Sequence, residues 1–195
     1  MFVAQQYANL AKANRRSFFS GLGKFTLSAT AIALLASQDR LALIGSAKAE
    51  SLGNDVTILN AALAAEQEAI AAYQVGATSG LLQKPVLDLA VQFQGHHKEH
   101  ADALAETVKK LGGTPNEAKK SYSFPTQKLK KQADVLALAA ELEKGAVSAY
   151  LGAVPILTDR DLAKVAASIL GDEAMHWAVL RQALGQNPVP TAFLS

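Results

Sequence analysis

Apolar residues recur every three or four positions between Asp55 and Gln186, which is the period of an amphipathic helix. Ala, Leu, Glu, Lys and Gln, all strong helix formers, dominate this part of the chain. Alternating runs of β-branched residues, which are typical of strands, are almost absent. We therefore predict an all-α protein, and glycine and proline positions divide the pattern into four helices.

The breaks in the pattern set the bounds of the four predicted helices. They are Asn54 or Asp55 to Gln74, Pro85 to Lys110, Gln132 to Val154, and Thr158 to Gly185. Thr158 is the predicted N-cap of the fourth helix, with Asp161 in the capping-box position. Short connections follow the first and third helices, whereas the 18 residues 112–129 join the second to the third. This loop pattern predicts a four-helix bundle of two helical hairpins joined by one long crossover.

The second half of the helical region repeats the first half. A shift of 76 or 77 residues aligns Glu66 with Glu143, Tyr73 with Tyr150, His97 with Glu173, and His100 with His176. Each aligned position lies on an apolar stripe at helical spacing. The repeat therefore predicts that ionisable side chains from all four helices point into the bundle interior at a similar depth.

Such a buried cluster requires a partner that neutralises it. Burying one unpaired carboxylate costs several kcal/mol, and several of them would exceed the total stability of a domain, about 5–15 kcal/mol. A pair of divalent metal ions would balance the charge, because carboxylates and imidazoles are common metal ligands. The chain has no cysteine, so nitrogen and oxygen atoms must hold any metal.

The histidines are concentrated in two short segments. All four, His96, His97, His100 and His176, lie in predicted helices two and four. Helix two offers two registers at i, i+3, His97 with His100 or His96 with Glu99. We prefer His97 and His100, because the repeat aligns them with Glu173 and His176.

The sequence resembles the ferritin-like superfamily of di-metal carboxylate four-helix bundles. Leu59-Asn60-Ala61-Ala62-Leu63-Ala64-Ala65-Glu66, followed by Tyr73, is similar to the first helix of bacterial ferritin-like domain proteins. The family pattern is Glu, Glu-x-x-His, Glu and Glu-x-x-His on successive helices. The resemblance implies six metal ligands, Glu66, His97, His100, Glu143, Glu173 and His176. His97-Lys98-Glu99-His100 departs from the pattern, because His97 stands where the family has a glutamate.

The resemblance also implies a function. It predicts two divalent metal ions, iron first and manganese as the alternative, and redox chemistry such as ferrous iron oxidation or consumption of O₂ or peroxide. Tyr73 and Tyr150 are interpreted as core residues that hydrogen-bond the ligand carboxylates, or as radical residues beside the metals. The alternative is a non-catalytic envelope protein for stress protection or partner binding, with a structural metal or none. The oligomeric state stays open, and a homodimer is one candidate.

The N-terminal region differs from the rest in charge. Residues 1–49 hold six of the 19 Lys and Arg residues and one of the 17 acids, which leaves residues 50–195 with a formal charge of −3. Nucleic acid is therefore not an expected partner, since phosphate binding needs a clustered basic surface.

The same region resembles a twin-arginine (Tat) export signal. The pair Arg15-Arg16 precedes two phenylalanines, an apolar run at 25–36, and the small-residue pattern Ala47-Lys48-Ala49. We predict a signal at 1–49 cleaved after Ala49, a mature domain at 50–195, and a periplasmic or exported location reached through the Tat translocase. The apolar run of 12 residues is shorter than the roughly 20 that a stable membrane span needs. Tat export of a folded chain would allow metal loading in the cytoplasm.

Overall fold

Four long helices and the segments that connect them lie in residues 47–194, the part of the chain that the structure, a computed structural model, describes. They are α1 (Ala47–Thr78), α2 (Lys84–Lys110), α3 (Gln132–Ala153) and α4 (Arg160–Ala183), with a short 3₁₀ helix at Thr126–Lys128. No strand occurs in these residues. The prediction of an all-α four-helix protein is confirmed.

The helices pack as two hairpins. α1 lies against α2 and α3 lies against α4, and α1 also contacts α3. Residues 111–131 form the long crossover, and part of it is fixed to α1 by hydrogen bonds. Asn60 donates to the carbonyl of Thr114 at 3.0 Å and accepts from the amide of Asn116 at 2.8 Å. The predicted topology of two hairpins and one crossover is therefore present.

Two apolar clusters fill the bundle, one toward each end. The first includes Ile58, Leu59, Leu63, Leu104, Val108, Tyr150, Ala153, Leu157, Ala166 and Ile169. The second consists of Tyr73, Phe93, Leu136, Ala140, Trp177 and Leu180. Between these two clusters every helix carries at least one buried ionisable side chain, and these side chains are Glu66, His97, Glu143, Glu173 and His176. The fold thus encloses a polar layer between two apolar layers.

The first helix is longer than predicted at both ends. Among the described residues it extends back to Ala47, because residues 47–53 include good helix formers that continue the pattern toward the N-terminus. Gly76 does not end it, and the chain turns at Gly80, whose φ of 71° favours glycine. Asp55 is therefore not an N-cap.

The start of α4 also differs from the prediction. Asp159 is the N-cap, and its carboxylate accepts from the amides of Asp161 and Leu162. Thr158 instead donates its hydroxyl to Asp55 at 2.6 Å, and its amide donates to the same carboxylate at 2.9 Å. The buried Asp55 carboxylate connects α1 to the start of α4, so a tertiary contact replaces the predicted capping box.

The predicted export signal falls almost wholly outside the described residues. This includes Arg15 and Arg16, whereas the backbone of Ala47 and Ala49 forms the first turn of α1. Among residues 47–194, no helix has the length and hydropathy needed to cross a membrane.

Candidate metal centre

The polar layer is built by the midpoints of the four helices. α1 contributes Glu66, α2 contributes His97 and His100, α3 contributes Glu143, and α4 contributes Glu173 and His176. Five of the six residues are at most 2% exposed, and His100 is partly buried. The structure therefore brings together all six side chains that the sequence assigned to the metal site.

The six side chains form two overlapping groups. Potential ligand atoms of Glu66, His97, His100 and Glu173 all lie within 4.8 Å of one another, and so do those of His97, Glu143, Glu173 and His176. His97 and Glu173 belong to both groups. The arrangement offers two neighbouring cation positions, and His97 and Glu173 lie between them.

His97 occupies the centre of the layer. Its Nδ1 donates to Glu66 Oε2 at 2.8 Å and its Nε2 donates to Glu143 Oε1 at 3.3 Å. Burial lowers the pKa of His97, but the hydrogen bonds to Glu143 and Glu66 outweigh burial and raise the pKa to about 11. In the metal-free protein His97 is thus a cation that joins carboxylates of α1 and α3.

The other members of the layer also have shifted pKa values. Burial raises the pKa of Glu173 to about 9, and the nearby Glu143 charge acts in the same direction. Burial lowers the pKa of His100, but Glu173 and Glu66 outweigh it and raise the pKa to about 9. Burial also opposes ionisation of Glu66 and Glu143, yet bonds to histidines hold the pKa of each below its usual range.

Two tyrosines bind the ligand carboxylates crosswise between the hairpins. Tyr150 on α3 donates to Glu66 Oε1 on α1 at 2.5 Å, and Tyr73 on α1 donates to Glu143 Oε1 on α3. Burial and the adjacent carboxylates raise the pKa of both tyrosines well above 10. Each hydroxyl therefore stays protonated and orients one carboxylate.

Several atoms of the polar layer have no hydrogen-bond partner among the described residues. They are His100 Nδ1, Glu143 Oε2, Glu173 Oε1, Glu173 Oε2 and His176 Nδ1. His100 Nδ1 lies 3.1 Å from Glu173 Oε1 without hydrogen-bond geometry. A buried polar atom without a partner costs about 1–3 kcal/mol. Nitrogen and carboxylate oxygen atoms that face one interior point are the donor set of a divalent transition metal, so these residues fit such an ion.

Sequence reasoning missed one member of the region, Asp172, and did not include His96. Asp172 Oδ2 lies 3.0 Å from His96 Nδ1 and 3.2 Å from His176 Nε2. The 76-residue shift aligns His96 with Asp172, so the repeat carried a signal for this pair. The alternative register of His96 with Glu99 is not formed, because Glu99 is exposed.

The chain is similar to known ferritin-like proteins. Residues 54–186 match the family model of the ferritin-like domain. A conserved hypothetical protein of Mycobacterium tuberculosis is 24% identical with a TM-score of 0.63, over 76% of this chain and 99% of that chain. A ferritin-like, diiron-carboxylate protein of Bacillus anthracis is 23% identical with a TM-score of 0.59, over 69% of this chain and 97% of that chain. No curated protein matches the sequence. The two solved structures establish a shared fold.

Proposed function

The chain belongs to the ferritin-like domain family, and on this premise we propose that its polar layer binds two divalent metal ions and carries out redox chemistry with them. Iron is the first candidate and manganese the second. The observation that carries the proposal is the set of buried nitrogen and oxygen atoms without partners in the middle of the bundle. Two bound cations would give each of these atoms a partner.

The two groups of side chains indicate how the ligands are divided. Glu66, His100 and the Nδ1 side of His97 would hold one ion, and Glu143 with His176 would hold the other. Glu173 lies in both groups and would be shared. When bound, two such ions supply one-electron steps for ferrous iron oxidation or for reduction of O₂ or peroxide.

The protein's own residues prepare the site in three ways. Tyr73 and Tyr150 orient the carboxylates of Glu143 and Glu66. The apolar clusters on either side of the layer exclude bulk water and strengthen the electrostatic interactions inside. His97, His100 and Glu173 hold protons in the metal-free protein and must release them when ligands form, because only the deprotonated groups bind a metal.

The experiment is metal analysis of the full chain purified without chelator, followed by an aerobic ferrous oxidation assay. We expect about two ions per chain and oxidation well above the rate in buffer. Glu143→Ala should lose metal and activity. Glu141→Ala is the matched control, because Glu141 is exposed on the same helix. A metal-free protein with no oxidation above the buffer rate would overturn the proposal.

One observation favours a second candidate, a non-catalytic protein with a structural metal or none. In the metal-free layer, ionised Glu66 and Glu143 are balanced by protonated His97 and His100, while Glu173 keeps its proton. The layer is therefore close to neutral without any cation. On this reading the bundle serves envelope stress protection or partner binding, and the same metal analysis separates the two candidates.

Export is a further part of the proposal. The paired arginines, the short apolar run and the Ala47-Lys48-Ala49 pattern support Tat-dependent export to the periplasm or beyond. N-terminal sequencing of protein from the periplasmic fraction should give Glu50 as the first residue. Replacing Arg15 and Arg16 together by lysine should retain the full chain in the cytoplasm, and unchanged export would contradict this part.

A further inference from the structure

A second group of metal-ligating side chains lies on the outer side of His176. His96 Nδ1 is 2.9 Å from His176 Nε2 and 3.0 Å from Asp172 Oδ2, and the third distance, from Asp172 Oδ2 to His176 Nε2, is 3.2 Å. Two nitrogens and one oxygen from α2 and α4 thus form a nearly equilateral triangle. His96 and Asp172 are not among the six ligands that the family pattern implies. His176 is one of the six, but its Nδ1 atom faces the inner ligand Glu143, whereas its Nε2 atom belongs to the triangle.

The size of the triangle matches a metal tripod. Ligands at about 2.1 Å from a metal ion and roughly 90° apart are separated by about 3.0 Å. The three observed separations of 2.9, 3.0 and 3.2 Å are close to this value. Two imidazoles and one carboxylate on a single face select a transition metal with open positions, and they disfavour Ca²⁺ and Mg²⁺, which prefer oxygen ligands.

The triangle connects solvent with the interior. The side chains of His96 and Asp172 are 33% and 21% exposed, whereas that of His176 is 2% exposed. On the inner side, His176 Nδ1 lies 3.4 Å from Glu143 Oε1. Asp172 Oδ2 also lies 3.5 Å from His100 Nε2. An ion at the triangle would therefore be accessible from water and adjacent to ligands of both inner positions.

We propose that His96, Asp172 and the Nε2 atom of His176 form an outer cation site that captures a divalent transition metal ion from solvent and delivers it to the bundle interior. The capture depends only on the triangle. The delivery rests on the proposed function, because it requires the inner site to bind metal.

His176 can bind an ion at the outer site or at the inner site but not at both, so an ion at the outer site must leave it before His176 becomes an inner ligand. A neutral imidazole has one lone pair, so it binds metal through Nε2 or through Nδ1, with the proton on the other nitrogen. When the ion is outside, Nε2 is the ligand and Nδ1 carries the proton. When the ion is inside, Nδ1 is the ligand and the proton on Nε2 faces Asp172 Oδ2 at 3.2 Å. Asp172 thus changes from ligand to hydrogen-bond acceptor as the ion moves inward.

The first experiment locates Co²⁺ in crystals of the metal-free full chain by anomalous scattering, with soaks of increasing duration. We expect a peak bonded to His96 and Asp172 after short soaks and inner peaks after long soaks, because delivery requires the inner site to bind Co²⁺ more tightly than the outer one. His96→Ala should lose the outer peak and keep the inner ones. Glu99→Ala is the matched control, because it removes an exposed side chain from the same helix, and it should keep all peaks.

The second experiment measures the rate of Co²⁺ uptake from its visible absorption. His96→Ala should take up Co²⁺ severalfold more slowly than Glu99→Ala and reach the same final inner occupancy. Absence of an outer peak at every soak time would overturn the outer site, and an unchanged uptake rate would overturn its delivery role. An occupied outer site beside an empty interior would instead refute the proposed function and leave the capture site standing.

Discussion

Tyr150 and Glu66 lie on different hairpins, and the tyrosine hydroxyl donates to the carboxylate at 2.5 Å in the middle of the bundle. The reciprocal pair, Tyr73 and Glu143, makes the same connection in the opposite direction. The internal repeat of the sequence is thus a structural symmetry in which each half supplies the tyrosine that orients the other half's carboxylate. These two contacts couple the geometry of the polar layer to the packing of α1 against α3.

Tyr150→Phe is expected to destabilise the metal-free protein. The change removes only the hydroxyl, so Glu66 Oε1 loses its donor while the ring still fills the core. Leaving a buried polar acceptor without its partner costs about 1–3 kcal/mol, and a charged acceptor such as the Glu66 carboxylate costs more. Urea unfolding at neutral pH measures the difference. Tyr122→Phe on the crossover is the control, because the Tyr122 hydroxyl accepts one bond from the amide of Lys119 outside the core, and it should unfold like the unchanged protein.

Asp55→Ala tests the contact between α1 and the start of α4. The buried carboxylate accepts from the Thr158 hydroxyl and from the amides of Thr158 and Asp159. Its removal leaves these donors without a partner, and we expect a loss of about 2–4 kcal/mol in the free energy of unfolding. Asp161→Ala, an exposed change in the first turn of α4, should cost much less. Equal losses in the two variants would show that Asp55 does not anchor the helix.

The sequence predicted the helices and the convergence of the six ionisable residues because both follow from local periodicity. A stripe at helical spacing places Glu66 and Glu143 on inward faces wherever the helices pack, and the repeat sets their depth. The role of Asp55 was not predictable in this way, because Thr158 is its partner only through the packing of helices 103 residues apart in sequence. A local signal therefore suggested a cap where a tertiary contact exists.

The outer site formed by His96, Asp172 and His176 Nε2 was not predictable from the sequence for the same reason. His96 and Asp172 are adjacent in sequence to inner residues but lie beside the apolar stripes, where helix periodicity predicts exposure. Their proximity depends on how closely α2 approaches α4 at this level of the bundle. Sequence spacing does not specify that separation, although the repeat aligns the two positions.

The stability of the metal-free protein is expected to fall as the pH rises from about 6 to 9. His97 and His100 have folded pKa values of about 11 and 9, above the ordinary value of 6.5. Glu173 has a folded pKa of about 9 instead of 4.5. A group whose pKa is higher in the folded protein than in the unfolded one contributes its full stabilisation of the fold at pH values below the unfolded pKa. This contribution is lost as the pH rises toward the pKa in the folded protein. The urea midpoint, measured without metal at several pH values, should therefore decrease over this range.

Below about pH 5 the stability of the metal-free protein is expected to change with pH in the opposite direction, which checks the assigned protonation states. Glu66 and Glu143 have lowered folded pKa values, so their contribution is present above pH 4.5 and is lost as the pH falls below it. The metal-free protein should thus be most stable near pH 5 to 6. A midpoint that rises steadily from pH 6 to 9 would contradict the protonation states assigned to His97, His100 and Glu173.

Metal binding at pH 7 is expected to release protons. His97, His100 and Glu173 are protonated at this pH in the metal-free layer, and each must lose its proton to become a ligand. Calorimetric titration with Zn²⁺ in buffers of different ionisation enthalpy should give close to three protons per filled centre. The apparent affinity should rise with pH through about 9, where His100 and Glu173 lose their protons, and further toward 11, where His97 loses its proton. A heat that does not depend on the buffer would contradict this prediction.

His97→Glu restores the glutamate of the family pattern and is expected to shift stability from the metal-free to the metal-bound protein. The metal-free variant loses the cation that joins Glu66 to Glu143, and it gains a fourth carboxylate beside them. Like charges in a buried layer repel, so its thermal midpoint without metal should fall. With metal, the additional negative charge balances two divalent ions more completely and should raise the affinity.

His97→Gln removes the cation without adding charge, so it should lower the metal-free midpoint without the gain in affinity. The measurement is the increase in thermal midpoint when metal is added. A larger increase for His97→Glu than for the unchanged protein, with a smaller one for His97→Gln, would show that the charge at position 97 sets the balance between the two states. An equal increase in all three proteins would show that position 97 does not contact the metal.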